Sequence, residues 1–525
     1  MAVYTFAAIY IGTYDVSLKI FELNGRKKLH EVDYIRSRQD LGWDALGIGS
    51  IGYEQVESLC ENLAQFKQIM QGYKVDDYEV YAAAALRDAE NELFVLDQIY
   101  LRTGFRVKVV SNSEHRFISY KSVVGQEKFE EMIKTSAAVI DVGGASLQIT
   151  IFREGSLKIT QHIEAGIMRI RNLLADRGQS LKMYETQIEE YMNKKLEGFR
   201  AMYMTEPVDR VILISDYATE LIRRMDEKEA GCQVKSEKFI KFINKLQKKT
   251  LEEITSELNL SDDREPLIIP ALCIFKTLVM NVSPREVWVP GANILNGIAY
   301  DYAQRKKLLN ISHDFDGDVL SAAKYLSLHY NSYSPHIEAL SKLSIKIFDA
   351  MKKVHGLGKR QRLLLETATI LHDCGKFVSF SESPENAYHI IMSSEIIGLT
   401  HQEREIVALV VLYNTLPLDD YEELSDRLDH EDYLCVAKLS AILRVANALD
   451  QSHRQKFKNI RIAVRDRQLV FTVENLEDIS LEQALFEAKT AYFENVYSMK
   501  PVLKEKRIYQ YEVLEKERKI YGTKN

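Results

Sequence analysis

Residues 4–23, YTFAAIYIGTYDVSLKIFEL, carry two apolar runs separated by a glycine, which predicts a strand, a turn and a second strand. Helical spacing follows over 55–73 through Val56, Leu59, Cys60, Leu63 and Phe66. The segment YEVYAAAALRDAENELFVLDQIYLRTG repeats this cycle as a strand and a helix ending at Gly104, and FRVKVVS reads as the next strand. At residues 139–149, VIDVGGASLQI, an apolar run stops at Asp141, turns on two glycines and resumes as an alternating strand. The first 300 residues are therefore expected to be α/β. From about 310 the pattern becomes a series of amphipathic helices, such as HIEALSKLSIKIFDAMKKV and RQRLLLETATILHDCGK. After about 455 strands return in NIRIAVRDRQLVFTVEN, followed by a Glu- and Lys-rich helix and a final strand in RIYQYEVLE.

A short internal match places Ile9-Tyr10-Ile11-Gly12-Thr13 over Ile140-Asp141-Val142-Gly143-Gly144. Two copies of one half-domain around a cleft would produce it; so would two hairpins that are alike by chance. The length of 525 residues exceeds one ordinary core and predicts several domains. With 46% apolar and 28% charged residues, the composition is that of a globular protein.

A net charge of -7 supplies no general attraction to DNA or anionic lipid, so a polyanion must be held by local groups. The five cysteines are scattered without CxxC spacing, as expected for reduced thiols in a cytoplasmic protein. No apolar run is long enough to cross a bilayer, and MAVYTFAAIYIG reads as a first strand rather than a signal peptide.

Consecutive amides in a Gly-rich turn form a concave nest for an anionic oxygen, and Gly143 and Gly144 suit that role. Asp141, at the end of the preceding strand, is placed to hold a hydrated Mg²⁺ against phosphates. The same DxGG pattern also occurs in a plain hairpin turn.

Seven pieces, in order, resemble the exopolyphosphatase / guanosine pentaphosphate phosphohydrolase (Ppx/GppA) family, in its long form: AIYIGTYDVS, ALRDAEN, VSNSEHRFI, VIDVGGASLQI, EAGIMR, LLETATILHDCGK and LRVANALDQSH. The resemblance implies a two-lobe actin-like α/β module, with lobe I over 1–124 and lobe II over 125–305. It further implies an all-α HD-like domain over 310–455 and a small α+β domain over 456–525. The implied activity is removal of a terminal phosphate from polyphosphate or guanosine pentaphosphate, with Mg²⁺, by attack of water in the interlobe cleft. Keeping Arg116 in register puts Glu114 on the family's general base; a slide of one residue puts His115 there. Arg87 and Asn91 match the family's substrate-binding helix, four residues apart and so expected on one face. Gly12, Thr13, Gly143, Gly144, Ala145 and Ser146 become the phosphate-binding turns. A homodimer is implied, binding polyphosphate or guanosine penta- or tetraphosphate rather than DNA, with the basic stretch KKVHGLGKRQR over 352–362 available to line a groove.

The sequence departs from that family where the chemistry would be. Tyr10 replaces the first hairpin's Asp, with Asp15 nearby as a potential substitute, and Gln148 replaces an acidic residue in the second hairpin. The expected glycines near VILISDYATEL are absent, and Leu295-Asn296 replaces an Arg-Glu pair before Gly297. In the helical domain, His336 and the dyad His372-Asp373 match the ligands of HD-type metal sites and imply a second divalent ion, but the last acidic ligand reads Asn447. Losses of this kind leave a sensor of polyphosphate or a guanine alarmone as the main alternative to an enzyme. Kinase-like use of ATP is a third reading, disfavoured by the missing glycines.

Overall fold

The computed structural model describes residues 4–23, 29–82, 84–174, 181–226, 232–260, 265–309, 313–457, 459–475 and 478–507. The chain divides into two compact units, Met1–Asp318 and Val319–Asn525.

Two sheets build the first unit. One contains β1 (Tyr4–Ile11), β2 (Asp15–Leu23), β3 (Leu29–Arg38), β4 (Asp77–Ala82) and β5 (Val107–Val109), in the order β3-β2-β1-β4-β5. The other contains β6 (Ser136–Val142), β7 (Leu147–Arg153), β8 (Ser156–Ile163), β9 (Arg210–Ile214), β10 (Gln233–Lys235) and β11 (Glu286–Trp288), in the order β10-β11-β9-β6-β7-β8. Each begins as an antiparallel meander and adds parallel strands on the far side of its first strand, the second sheet ending in β10, antiparallel to β11. Even the register irregularities coincide, falling at Ile20/Phe21 in one lobe and Ile151/Phe152 in the other. The short sequence match is thus the trace of a structural duplication. Tyr10, Ser17 and Arg36 lie side by side across β1, β2 and β3, as Asp141, Gln148 and His162 do across β6, β7 and β8.

Strand β1 is buried on both faces, so its apolar run is nearly continuous. Ala7, Ile9 and Ile11 pack with Leu59, Leu63 and Phe66 of helix Tyr53–Gly72. The alternate residues Phe6 and Ala8 pack with Leu295, Ile298 and Tyr302 of helix Ile294–Arg305. That helix crosses helix Asn112–Val124 at Gly297, where a Cβ would stand 1.9 Å from the Ile118 carbonyl oxygen. Gly297 is therefore a packing residue, and Leu295 beside it is fully buried.

The helix expected through 85–103 is interrupted. Helix Ala84–Arg87 stops, and Glu92–Thr103 restarts with Asn91 as its N-cap residue and Gly104 left-handed at φ 75° after it. Arg87 and Asn91 consequently do not share a helix face.

In the second unit, helices Ser334–Ala350, Lys359–Leu371, Ser383–Ser393, His401–Leu412 and His430–Leu449 precede a sheet of β12 (Ile460–Arg465), β13 (Gln468–Asn475) and β14 (Lys500–Arg507). Helix Ser480–Tyr497 makes the crossover between the parallel strands β13 and β14. Its Glu482 is fully buried and paired with Lys456 at 2.9 Å. Apart from Arg507, the strand expected in RIYQYEVLE lies outside the described residues. In the basic stretch 352–362, Arg360 pairs with Glu403 and Arg362 with Asp349. Among the described residues no disulfide is formed between the cysteines, and no helix is long and apolar enough to cross a membrane.

Candidate functional site

The turns joining β1 to β2 and β6 to β7 face one another across a cavity of about 220 Å³. They are built alike: the Gly12 amide donates to the Asp15 carbonyl at 2.8 Å, and the Gly143 amide to the Ser146 carbonyl at 3.0 Å. Each is buttressed by the start of a helix, through Gly42 N–H to the Thr13 carbonyl at 2.7 Å and Met168 N–H to the Gly144 carbonyl at 2.9 Å. A Cβ on Gly166 would fall 2.3–2.4 Å from Ser146 N, the Ala145 carbonyl carbon and the Gly144 oxygen, so this close approach requires glycine. Gly12, Thr13, Gly143, Gly144, Ala145 and Ser146 all line the cavity.

Three carboxylates, Asp15, Asp141 and Asp216, line it as well. Asp15 is ion-paired with Arg36 Nε. Burial works against the Arg36 charge, but Asp15 and Asp216 raise its pKa above the ordinary value, while its Nη1 is buried without a partner. Burial also pushes the Asp141 carboxyl up, from 3.8 to about 6; the Ser119 hydroxyl and Arg116 oppose the rise and Asp216 adds to it. Asp216 accepts from Tyr34 Oη and Asn293 Nδ2, both at 3.3 Å. Asn293 lines the cavity with a buried Oδ1 that has no partner. Two mutually repelling carboxylates and an orphaned amide oxygen form a hard-oxygen donor set, and that set fits Mg²⁺.

Helix Asn112–Val124 supplies the cavity floor. Asn112, His115 and Ser119 fall on one face by their spacing and all reach the cavity. His115 Nε2 lies 3.0 Å from Tyr10 Oη. Burial, then Arg116, Arg87 and His162, push the His115 ring down to about 4, so it is neutral at physiological pH. Burial, Asp15 and Asp141 raise the Tyr10 hydroxyl above its ordinary value.

Glu114, favoured by sequence as the general base, is not among the cavity-lining residues. It is the N3 residue of a capping box: its Oε2 accepts from Ser111 N and Oγ, both at 3.0 Å, and its Oε1 lies 3.2 Å from Lys108. Burial alone would raise its carboxyl, but the Ser111 amide and Lys108 outweigh this and hold it below its usual range. The sequence signal was present as S-x-x-E at 111–114, and helix geometry sends the next residue, His115, into the cavity instead.

Arg87 binds Asp88 and the Val110 carbonyl, and does not line the cavity. Asn91 clasps both the amide and the carbonyl of Ile51 at 2.9 Å, a structural role in place of the substrate contact expected. Arg116 is buried near Asp141 and His115 and is not among the cavity-lining residues. Gln148 is buried with its Oε1 unpartnered. Asp216, Arg36 and Asn293 were missed. Asp216 follows the buried strand β9 just as Asp141 ends β6, and in an α/β sheet ligands bind at such carboxyl ends.

In the second unit the structure brings His336, His372 and Asp373 together, with ligand atoms all within 4.8 Å of one another. Burial pushes the His372 ring down to about 4. Two ring nitrogens and a carboxylate fit a transition-metal ion better than Mg²⁺.

The family model described as Ppx/GppA phosphatase family matches residues 42–306, and that for Ppx/GppA phosphatase, domain III, matches 321–490. A guanosine-5'-triphosphate,3'-diphosphate pyrophosphatase of Aeromonas hydrophila is 21% identical over 429 residues, covering 78% of this chain and 77% of the relative. One from Photobacterium profundum is 20% identical over 432 residues, covering 78% and 80%. The exopolyphosphatase structure from Cytophaga hutchinsonii aligns with a TM-score of 0.52 at 17% identity, covering 58% of this chain and 100% of that one. This last likeness supports the two-lobe α/β module.

Proposed function

The chain belongs to the Ppx/GppA phosphatase family, and from that premise we propose that its interlobe cavity binds the terminal phosphates of polyphosphate or guanosine pentaphosphate and hydrolyses the terminal phosphoanhydride. The observation that carries this reading is the convergence of two glycine turns and three carboxylates on one cavity. Backbone amides of the turns orient the terminal phosphoryl group, and positioning with electrostatic stabilisation is most of what phosphoryl transfer asks of a protein. Asp141 and Asp216, with Asn293 Oδ1, are the groups that hold Mg²⁺. When bound, the ion offsets charge on the phosphate oxygens. Arg36, charged and with Nη1 unpartnered, adds a cationic donor on the lobe I side.

Water is activated through the Tyr10–His115 pair rather than Glu114. As the water oxygen bonds to phosphorus and the bridging P–O bond breaks, the water proton passes to Tyr10 Oη and the Tyr10 proton to His115 Nε2, 3.0 Å away. A ring with a pKa of about 4 is a weak base, so slow turnover is expected. Phosphate release with Mg²⁺ tests the assignment: Tyr10→Phe and His115→Ala should each lose at least about 10²-fold, and Glu114→Ala should lose none per folded molecule. The reverse ranking would refute it.

A second reading is favoured by the duplication itself. Lobe I carries Tyr10 where lobe II carries Asp141, so one of two symmetry-related carboxylates is missing. A cavity with that loss suits a sensor that binds the same polyanion and releases no phosphate.

A further inference from the structure

We propose that the second unit binds a medium-chain aliphatic carboxylate in a cavity of about 580 Å³, its chain against Leu328, Ile337 and Ile370 and its head group between Lys324 and Lys342. The site shares no residue with the interlobe cavity.

Three helices line it: Phe315–His329, Ser334–Ala350 and Lys359–Leu371. From the second of these, Ile337, Ser341 and Ile345 stand four residues apart and make one stripe. Two contacts fix how the third helix lies along that stripe. Arg362 pairs with Asp349 at 3.0 Å near one end, and the rings of His336 and His372 are 5.2 Å apart at the other, so the two helices run antiparallel. Ile370 therefore falls at the Ile337 end and Arg362 toward Ile345. The short turn over 330–333 returns the first helix to the Ile337 end, which puts Leu328 there and Lys324 one turn further along.

The cavity consequently has an apolar end and a cationic end. Ile337 and Ile370 are buried, and Leu328 is an exposed leucine beside them, a surface that an aliphatic chain would remove from water. Away from that end stand Lys324 and Lys342, neither with an ion-pair partner among the described residues, and Ser341, whose buried hydroxyl has no hydrogen-bond partner. That hydroxyl can donate to a carboxylate oxygen, and the two ammonium groups offset its charge. Of the carboxylates lining the cavity, Glu366 lies 3.8 Å from Arg362, which leaves Glu338 against two lysines and favours an anionic head group. No aromatic side chain lines the cavity, so a nucleobase would find nothing to stack on, and the walls select an aliphatic body over a nucleotide. Its volume is in the range of small-molecule sites.

Isothermal titration of the full-length protein with hexanoate, octanoate and octyltrimethylammonium supplies the test. The wild type should bind about one octanoate per chain, roughly 15-fold tighter than hexanoate, because two further buried methylenes contribute about fourfold each. Octyltrimethylammonium, the same chain with the opposite charge, should bind at least about tenfold more weakly. Lys324→Ala combined with Lys342→Ala should weaken octanoate about tenfold, and Ser341→Leu, which fills the cavity, should abolish saturable binding. Absence of saturable octanoate binding by the wild type would overturn the proposal, as would equal affinity for the two head groups or full affinity in the double lysine variant. Should Ser341→Leu fail to fold, the lysine variant, changed only at exposed positions, decides.

Discussion

Replacing Asp141 by Asn tests the idea that the cavity stores a desolvated charge ready for a cation. The carboxyl rises from 3.8 to about 6 on folding, chiefly through burial. At about 1.4 kcal/mol per tenfold change, that rise corresponds to about 3 kcal/mol. The sign follows from proton binding: below pH 4 Asp141 is protonated in both states, whereas between 4 and 6 the native state holds the proton that the unfolded chain has released. Stability contributed by the neutral carboxyl is therefore lost as pH rises through this window and stays lost above 6. Without divalent ions, Asp141→Asn should match the wild type near pH 4 and exceed it by up to about 3 kcal/mol at pH 7.5. At about 2.1 cal/mol/K per residue, this amounts to roughly 4–5 °C in the unfolding of the first unit. Adding Mg²⁺ at pH 7.5 should raise the wild-type transition and leave the variant unchanged. A variant less stable than the wild type at pH 7.5, or equally stabilised by Mg²⁺, would show that Asp141 is a structural hydrogen-bonding residue.

Three further substitutions probe the architecture around the site. Glu114→Ala should lower stability by about 1 kcal/mol in thermal unfolding, the value of a lost cap. Gly297→Ala should destabilise by roughly 2–3 kcal/mol and loosen the cavity floor, because its Cβ meets the Ile118 carbonyl at 1.9 Å; urea titration followed by tyrosine fluorescence would read it. Lys456→Met leaves Glu482 fully buried and without its cation, so the second unit should lose roughly 3–5 kcal/mol at neutral pH and recover part of it on acidification.

Apolar periodicity made most of the fold legible. The apolar runs through β1 and β2, the glycine turns and the change to helices after 310 all have local causes. Legibility fell where a residue's role depends on its partners. Arg87 and Asn91 were expected on one face because four residues separate them, but the chain breaks between them when Asn91 turns to clasp Ile51. Family register points to Glu114, although S-x-x-E at 111–114 already describes a cap. Asp216 and Arg36 belong to different lobes, and only the folded cleft makes them neighbours. Asp450 was invisible for the same reason: its carboxylate lies 2.7 Å from the His336 ring, 114 residues away in sequence.

Phosphate release from long-chain polyphosphate, measured with and without Mg²⁺ alongside equilibrium binding of the same polymer, tests the central claim most directly. Mg²⁺-dependent release that Asp141→Asn and His115→Ala both abolish is the predicted result. Tight binding that depends on Asp141, with no phosphate released by the wild type over many hours, would contradict it and leave the cavity as a polyanion sensor.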